Sequence, residues 1–120
     1  MSSWSPAKPV LLVEEDPSGV LIASFQVNRV VDEEVVRKLS DELAAIAQMG
    51  KKVVLNFSKV EYLSSSVLGK LITFQKRLRA NGGELRLCCI RPQIYEIFEI
   101  TRLNTLFEIF PSEEEALEMF

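Results

Sequence analysis

Between residues 32 and 90 the apolar side chains alternate between two spacings, and that alternation restricts the chain to one class of fold. Over Asp32 to Met49, the residues Val35, Val36, Leu39, Leu43 and Ile46 recur at helical spacing and form one apolar face. The next run, Val53-Val54-Leu55-Asn56-Phe57, is short and almost wholly apolar, as a central strand covered on both faces would be. From about Ser65 to Ala80 the helical spacing returns. Val67, Leu71, Phe74 and Leu78 follow i, i+4, i+7, i+11, with Leu68 and Ile72 widening the stripe. Glu84 to Ile90 is then a second buried strand. Strands that alternate with helices require right-handed crossovers and a parallel sheet.

The flanking segments complete the architecture. Val10 to Val13 and Val20 to Val27 read as strands, and Asp16-Pro17-Ser18-Gly19 between them carries the signature of a type I turn. An opening hairpin makes the sheet mixed. Asp32 is placed to cap the first helix, with Glu33 and Glu34 at the end where the helix dipole favours negative charge. Gly50 stops that helix, and Asn81-Gly82-Gly83 stops the second. Ser58 to Leu63 is a connection. Pro92 opens a short helix whose inner face is Ile94, Ile97 and Phe98. Leu106 to Phe110 reads as an edge strand, and Ser112 with Glu115 has capping-box spacing for a last helix ending near Phe120. Residues 1–9, rich in Ser and Pro and carrying Trp4, read as a flexible N-terminal tail. Residues 10–120 then form a single α/β domain with a mixed sheet and about four helices.

Composition narrows the chemistry. The chain has no histidine, which excludes a Ser-His-Asp relay and Cys-His catalysis and removes the commonest metal ligand. No Gly-x-Gly-x-x-Gly or other phosphate-cradling loop is present, and Gly82-Gly83 alone is a helix stop. Cys88 and Cys89 are adjacent, so a bridge between them would be strained and no second pair completes a zinc site. They read as small hydrophobes in a reducing compartment. Glu113-Glu114-Glu115 reads as a solvated first helical turn. The net charge of -3 is spread along the chain, without the basic cluster that nucleic acid would require. No apolar stretch approaches the roughly 20 residues needed for a membrane span, and residues 1–9 lack the features of a signal peptide. The expectation is a cytoplasmic protein that is not an enzyme and uses no cofactor and no metal.

One stretch stands apart: Tyr62-Leu63-Ser64-Ser65-Ser66-Val67-Leu68-Gly69, three serines between a buried segment and the second helix. On residue chemistry alone, one hydroxyl caps the helix and the others fill a loop. The alternative is that N–H groups and the positive dipole end suit an anion, so that a phosphate attached here would act as a switch.

This stretch, set in Val53 to Gly69 and followed by Gly82-Gly83-Glu84-Leu85, resembles the STAS domain, the fold of bacterial anti-sigma factor antagonists. The family pattern runs phenylalanine or tyrosine, apolar, Asp, Ser, Ser, Gly, apolar, Gly. The resemblance spans about Val10 to Phe120, taking in Leu103-Asn104, Leu106-Phe107 and the closing segment Ser112 to Leu117. It implies that the serine after the Asp position, here Ser65, is phosphorylated by a partner that is both anti-sigma factor and kinase. Ser64 and Ser66 are secondary candidates. It implies further that the unphosphorylated protein binds this partner and that the phosphorylated one lets go. Other implied roles are a subunit of a signalling scaffold built with other STAS-containing proteins, or a transporter-associated module that binds an anion or lipid. The chain departs from the pattern at Ser64, where the family has Asp, and at Val67, where it has the first Gly; a Gly common near Arg102 is also replaced. Ser64, Ser65, Ser66, Val67, Lys70, Thr73 and Arg77, with the loop Ser58 to Ser64, are the expected partner-binding residues. Contact residues of the first helix cannot be chosen from sequence.

Overall fold

The computed structural model describes residues 8–118 and 120. Apart from Lys8 and Pro9, the expected tail with Trp4 lies outside the described residues. The elements are β1 (Leu11–Glu15), β2 (Leu21–Phe25), β3 (Arg29–Val30), α1 (Glu33–Gln48), β4 (Lys52–Asn56) and β5 (Tyr62–Leu63). After these come α2 (Ser65–Ala80), β6 (Glu84–Cys88), α3 (Pro92–Ile100), a 3-10 turn (Leu103–Thr105), β7 (Glu108–Phe110) and α4 (Glu113–Glu118). The main sheet has the order β1-β2-β4-β6-β7. Its first pair is antiparallel and the rest are parallel, with Leu21 opposite Val53 and Leu55 opposite Leu87.

Local chemistry explains the turns. The Asp16 carboxylate accepts the Ser18 hydroxyl at 2.7 Å and the N–H groups of Ser18 and Val20 at 3.1 and 2.9 Å. Gly19 supplies the positive φ of 91° that closes the hairpin. Gly50, at φ 60°, ends α1 in the left-handed conformation expected of it. The Asp32 carboxylate makes no capping hydrogen bond, contrary to expectation; the first turn closes through Val36 N–H on the Asp32 carbonyl at 2.9 Å. At α4 the Ser112 hydroxyl does accept Glu115 N–H at 3.2 Å.

Alternation along the strands divides the core. Leu21, Ala23 and Phe25 of β2, Val53 and Leu55 of β4, and Leu85 and Leu87 of β6 are buried in one cluster with Leu39, Leu43 and Ile46 of α1 and Leu71, Phe74 and Leu78 of α2. Phe25 and Phe57 pack at 4.8 Å with their rings tilted by 41°, and Phe98 of α3 meets Phe57 edge-on at 6.4 Å, which ties the two-helix layer to the C-terminal end of the sheet. A smaller cluster forms where α4 covers the opposite face: Val20, Val54, Cys88 and Ala116. Arg86 crosses this second face, donating to the Ala116 carbonyl at 2.9 Å and lying 4.1 Å from the Phe120 ring and 5.1 Å from the Phe110 ring.

Three strands are shorter than the sequence implies. β2 ends at Phe25, β7 begins at Glu108, and β6 ends at Cys88 because Cys89 turns to φ 60°. Two strands and the 3-10 turn at Leu103–Thr105 fall outside the sequence reading: β3 and β5 pair in parallel as a separate two-stranded ladder.

Candidate functional site

That small ladder positions the serines. β4 delivers the chain into Phe57, wholly buried, whose N–H bonds the Cys88 carbonyl at 3.0 Å. Asn56 then accepts Ser58 N–H at 2.8 Å and turns the backbone outward. The Asn28 carbonyl receives the N–H groups of Glu61 and Tyr62 at 2.8 and 3.1 Å, and the Val30 carbonyl receives Ser64 N–H at 3.0 Å. The Arg29 guanidinium lies over the Tyr62 ring at 4.7 Å, bracing the ladder from outside. With Leu63 and Val67 anchored in the core on either side, α2 begins directly at Ser65.

The three serines have different surroundings. Ser64 sits at the cap position in extended conformation, but its hydroxyl makes no capping bond and instead meets the Ser66 hydroxyl at 2.9 Å. The expected side-chain cap is therefore replaced by a serine–serine pair. Ser65, the first helical residue, is exposed, and among the described residues its hydroxyl has no hydrogen-bond partner. The first turn of α2 holds no acidic residue.

The expected partner-binding residues separate in the structure. Val67 has 0 % exposure and packs in the main core, so its side chain presents nothing to a partner. This corrects its place on the contact surface: the added bulk faces inward. Lys70, Thr73 and Arg77 are exposed and line a groove between α1 and α2, opposite Ser40, Ala44 and Ala47. Ser66 and Lys70 also border a second depression, at the N-terminal ends of the two helices, with Arg37, Ser40 and Asp41. The α1 contribution thus becomes visible. Its sequence signal is the small pair Ser40 and Ala44 at i, i+4, which lets α2 approach. A third depression lies between the small ladder and α3, with Val31, Tyr62 and Ile97 in its walls.

Comparisons with known proteins give the family and the fold. The family model described as the STAS domain matches residues 15–116. A candidate anti-sigma factor antagonist of Bordetella bronchiseptica, BtrV, is 37% identical over 103 residues, covering 85% of this chain and 87% of that protein. An anti-sigma-factor antagonist (STAS) domain protein from Planctomyces limnophilus superposes with a TM-score of 0.80 at 24% identity, over 89% of this chain and 94% of that one. The Bacillus cell fate determinant SpoIIAA in its phosphorylated form superposes with a TM-score of 0.67 at 18% identity, over 90% of this chain and 96% of that one. Among the described residues no helix is long and apolar enough to cross a membrane.

Proposed function

The chain belongs to the STAS domain family, and from that premise we propose that it is an anti-sigma factor antagonist, released from its partner when Ser65 is phosphorylated. The observation that carries this reading is the contrast within the serine cluster: Ser64 and Ser66 hold each other's hydroxyls, while the Ser65 hydroxyl is exposed and uncommitted among the described residues. The names of its relatives support an anti-sigma factor as the partner class; that this partner is also the serine kinase is part of the proposal.

On this reading the unmodified protein docks through the face made by Ser64 to Ser66 and the α1–α2 groove, with Lys70, Thr73 and Arg77 on the α2 side. A phosphate on Ser65 adds between about 1.5 and 2 negative charges to that face. The first turn of α2 holds no acidic residue of its own, and Arg37 and Lys70 stand with Glu33 and Asp41 around the adjoining depression, so the positive helix end accommodates the charge within the folded chain. A partner pressed against Ser65 would have to desolvate them, and the complex separates. The protein then works in the cytoplasm as a binding partner, without catalysis or cofactor of its own.

The test uses the full chain with its cognate anti-sigma factor, ATP and Mg²⁺. Intact mass should rise by one phosphoryl group, and Ser65→Ala should abolish the gain. Ser65→Asp should weaken the complex at least about tenfold while Ser65→Ala binds like the parent. Phosphorylation of Ser65→Ala to the same extent, or undiminished binding by Ser65→Asp, would overturn the reading.

A further inference from the structure

The two thiols at the C-terminal end of β6 are brought together by backbone conformation. A strand would send neighbouring side chains to opposite faces, but Cys89 leaves the strand at φ 60°, and its sulfur comes to 3.6 Å from that of Cys88. Closure to a disulfide is disfavoured, because a trans peptide holds adjacent Cα atoms about 3.8 Å apart whereas a disulfide wants roughly 4.4–6.8 Å. A single atom inserted between the sulfurs meets no such conflict. Bonds of about 2.3 Å to one centre, at pyramidal to tetrahedral angles, place two sulfurs roughly 3.4–3.8 Å apart, which matches the spacing present.

We propose that Cys88 and Cys89 form a two-thiol chelating site for a soft, thiophilic centre of the trivalent arsenical class. The donor set selects that class. Among the described residues no group of three or more His, Cys, Asp or Glu side chains could hold a metal ion, so a centre that requires four protein ligands goes unsatisfied. A monosubstituted arsenic(III) needs only two protein sulfurs. Each thiol sulfur forms one As–S bond, each As–OH bond breaks, and each thiol proton leaves with the hydroxyl as water, with no change of oxidation state. Cys89, half-buried, is the point of entry. Cys88 is fully buried beside Ala116, so α4 must yield. A six-residue helix has little stability of its own and can do so. Burial pushes the Cys88 thiol well above the usual thiol range, so Cys89 makes the first bond and Cys88 the second, intramolecular one.

The folded full chain is mixed with one equivalent of phenylarsine oxide, and intact mass and free thiols are measured. One arsenic per chain and the loss of both titratable thiols are expected. Excess glutathione should leave the adduct in place while dithiothreitol removes it. Cys89→Ser should reduce retention against glutathione by about 100-fold or more, because the second attachment is intramolecular only when both thiols are present. Cys88→Ser should do the same. Where that buried change unfolds the chain by circular dichroism, Cys89→Ser alone decides the matter. No adduct on the folded chain, or an adduct that glutathione strips from the parent as readily as from Cys89→Ser, overturns the proposal.

Discussion

Replacing Val67 by glycine restores the residue that the family pattern carries, yet the structure makes it a damaging change. Val67 is fully buried in the two-helix layer. The substitution removes three carbon atoms from the core, worth about 0.8 kcal/mol each, or about 2.4 kcal/mol of lost burial. Glycine in place of valine in a helix adds about 0.5 kcal/mol. If neighbouring side chains leave even about 40 Å³ unfilled, the cavity contributes about 1 kcal/mol more at about 24 cal/mol per Å³. The expected loss is therefore about 3–4 kcal/mol, a large share of the roughly 5–15 kcal/mol that stabilises a small domain. Urea unfolding followed by circular dichroism should show a lower midpoint at unchanged slope, with affinity for the partner unaltered in the folded fraction. A loss under about 0.5 kcal/mol would mean that the site collapses around glycine and that Val67 is not tightly packed. A tenfold gain in partner affinity would mean that the valine meets the partner after all.

Three further outcomes follow from the backbone and the turn. Arg102 sits at φ 62°, in the conformation that disfavours a Cβ, and its backbone bonds to Glu99 and Thr105 survive in glycine; Arg102→Gly should raise stability by about 0.5–1 kcal/mol in thermal unfolding, and a net loss would refute the assignment of strain. Gly50→Ala should cost at least about 2 kcal/mol in the same assay, since φ is 60° and an added Cβ would overlap the Asn81 carbonyl oxygen. The Ser18 hydroxyl, then the N–H groups around it, hold the Asp16 carboxyl below its ordinary 3.8. Because that value is depressed on folding, the stabilisation is present above the unfolded pKa and is lost as pH falls through the folded one. Carbon-detected NMR titration should therefore find the Asp16 midpoint below 3.8, and Asp16→Asn should flatten the acid limb of the stability profile.

Much of this fold was legible because its long elements repeat their signal. Each sixteen-residue helix has room for four turns of apolar spacing, so both were placed within a residue of their observed starts. The alternation of helix and strand gave the parallel sheet, and Asp16 to Gly19 gave the antiparallel pair. What escaped is short or depends on contacts distant in sequence. β3 and β5 are two residues each, too few for any period, and they exist because Asn28 and Val30 offer carbonyls to a segment more than thirty residues away. The α1 side of the groove became visible only once packing set Ser40 and Ala44 against Thr73 and Arg77. At Val67 the motif position points to the partner surface while the apolar stripe of α2 points inward, and the packing follows the stripe.

The serine at position 64 acquires a physical meaning in this setting. A carboxylate there would stand one residue from a phosphate on Ser65, and the repulsion is scaled at about 7 Å, the reach of two neighbouring side chains. Two unit charges at that distance repel by about 0.6 kcal/mol in water, and a dianion roughly doubles this, so an Asp would weigh against the phosphorylated form by about 1 kcal/mol. Ser64 removes that repulsion, and its hydroxyl is occupied by Ser66, leaving Ser65 as the uncommitted group. The departure therefore lowers the cost of holding a phosphate while taking away a carboxylate that a kinase could have used for recognition. If Ser65 is the switch, this chain holds its phosphorylated state more easily than a relative with Asp. The remaining discrimination then falls to the groove face, where Glu33, Arg37, Asp41, Lys70 and Arg77 supply the charge.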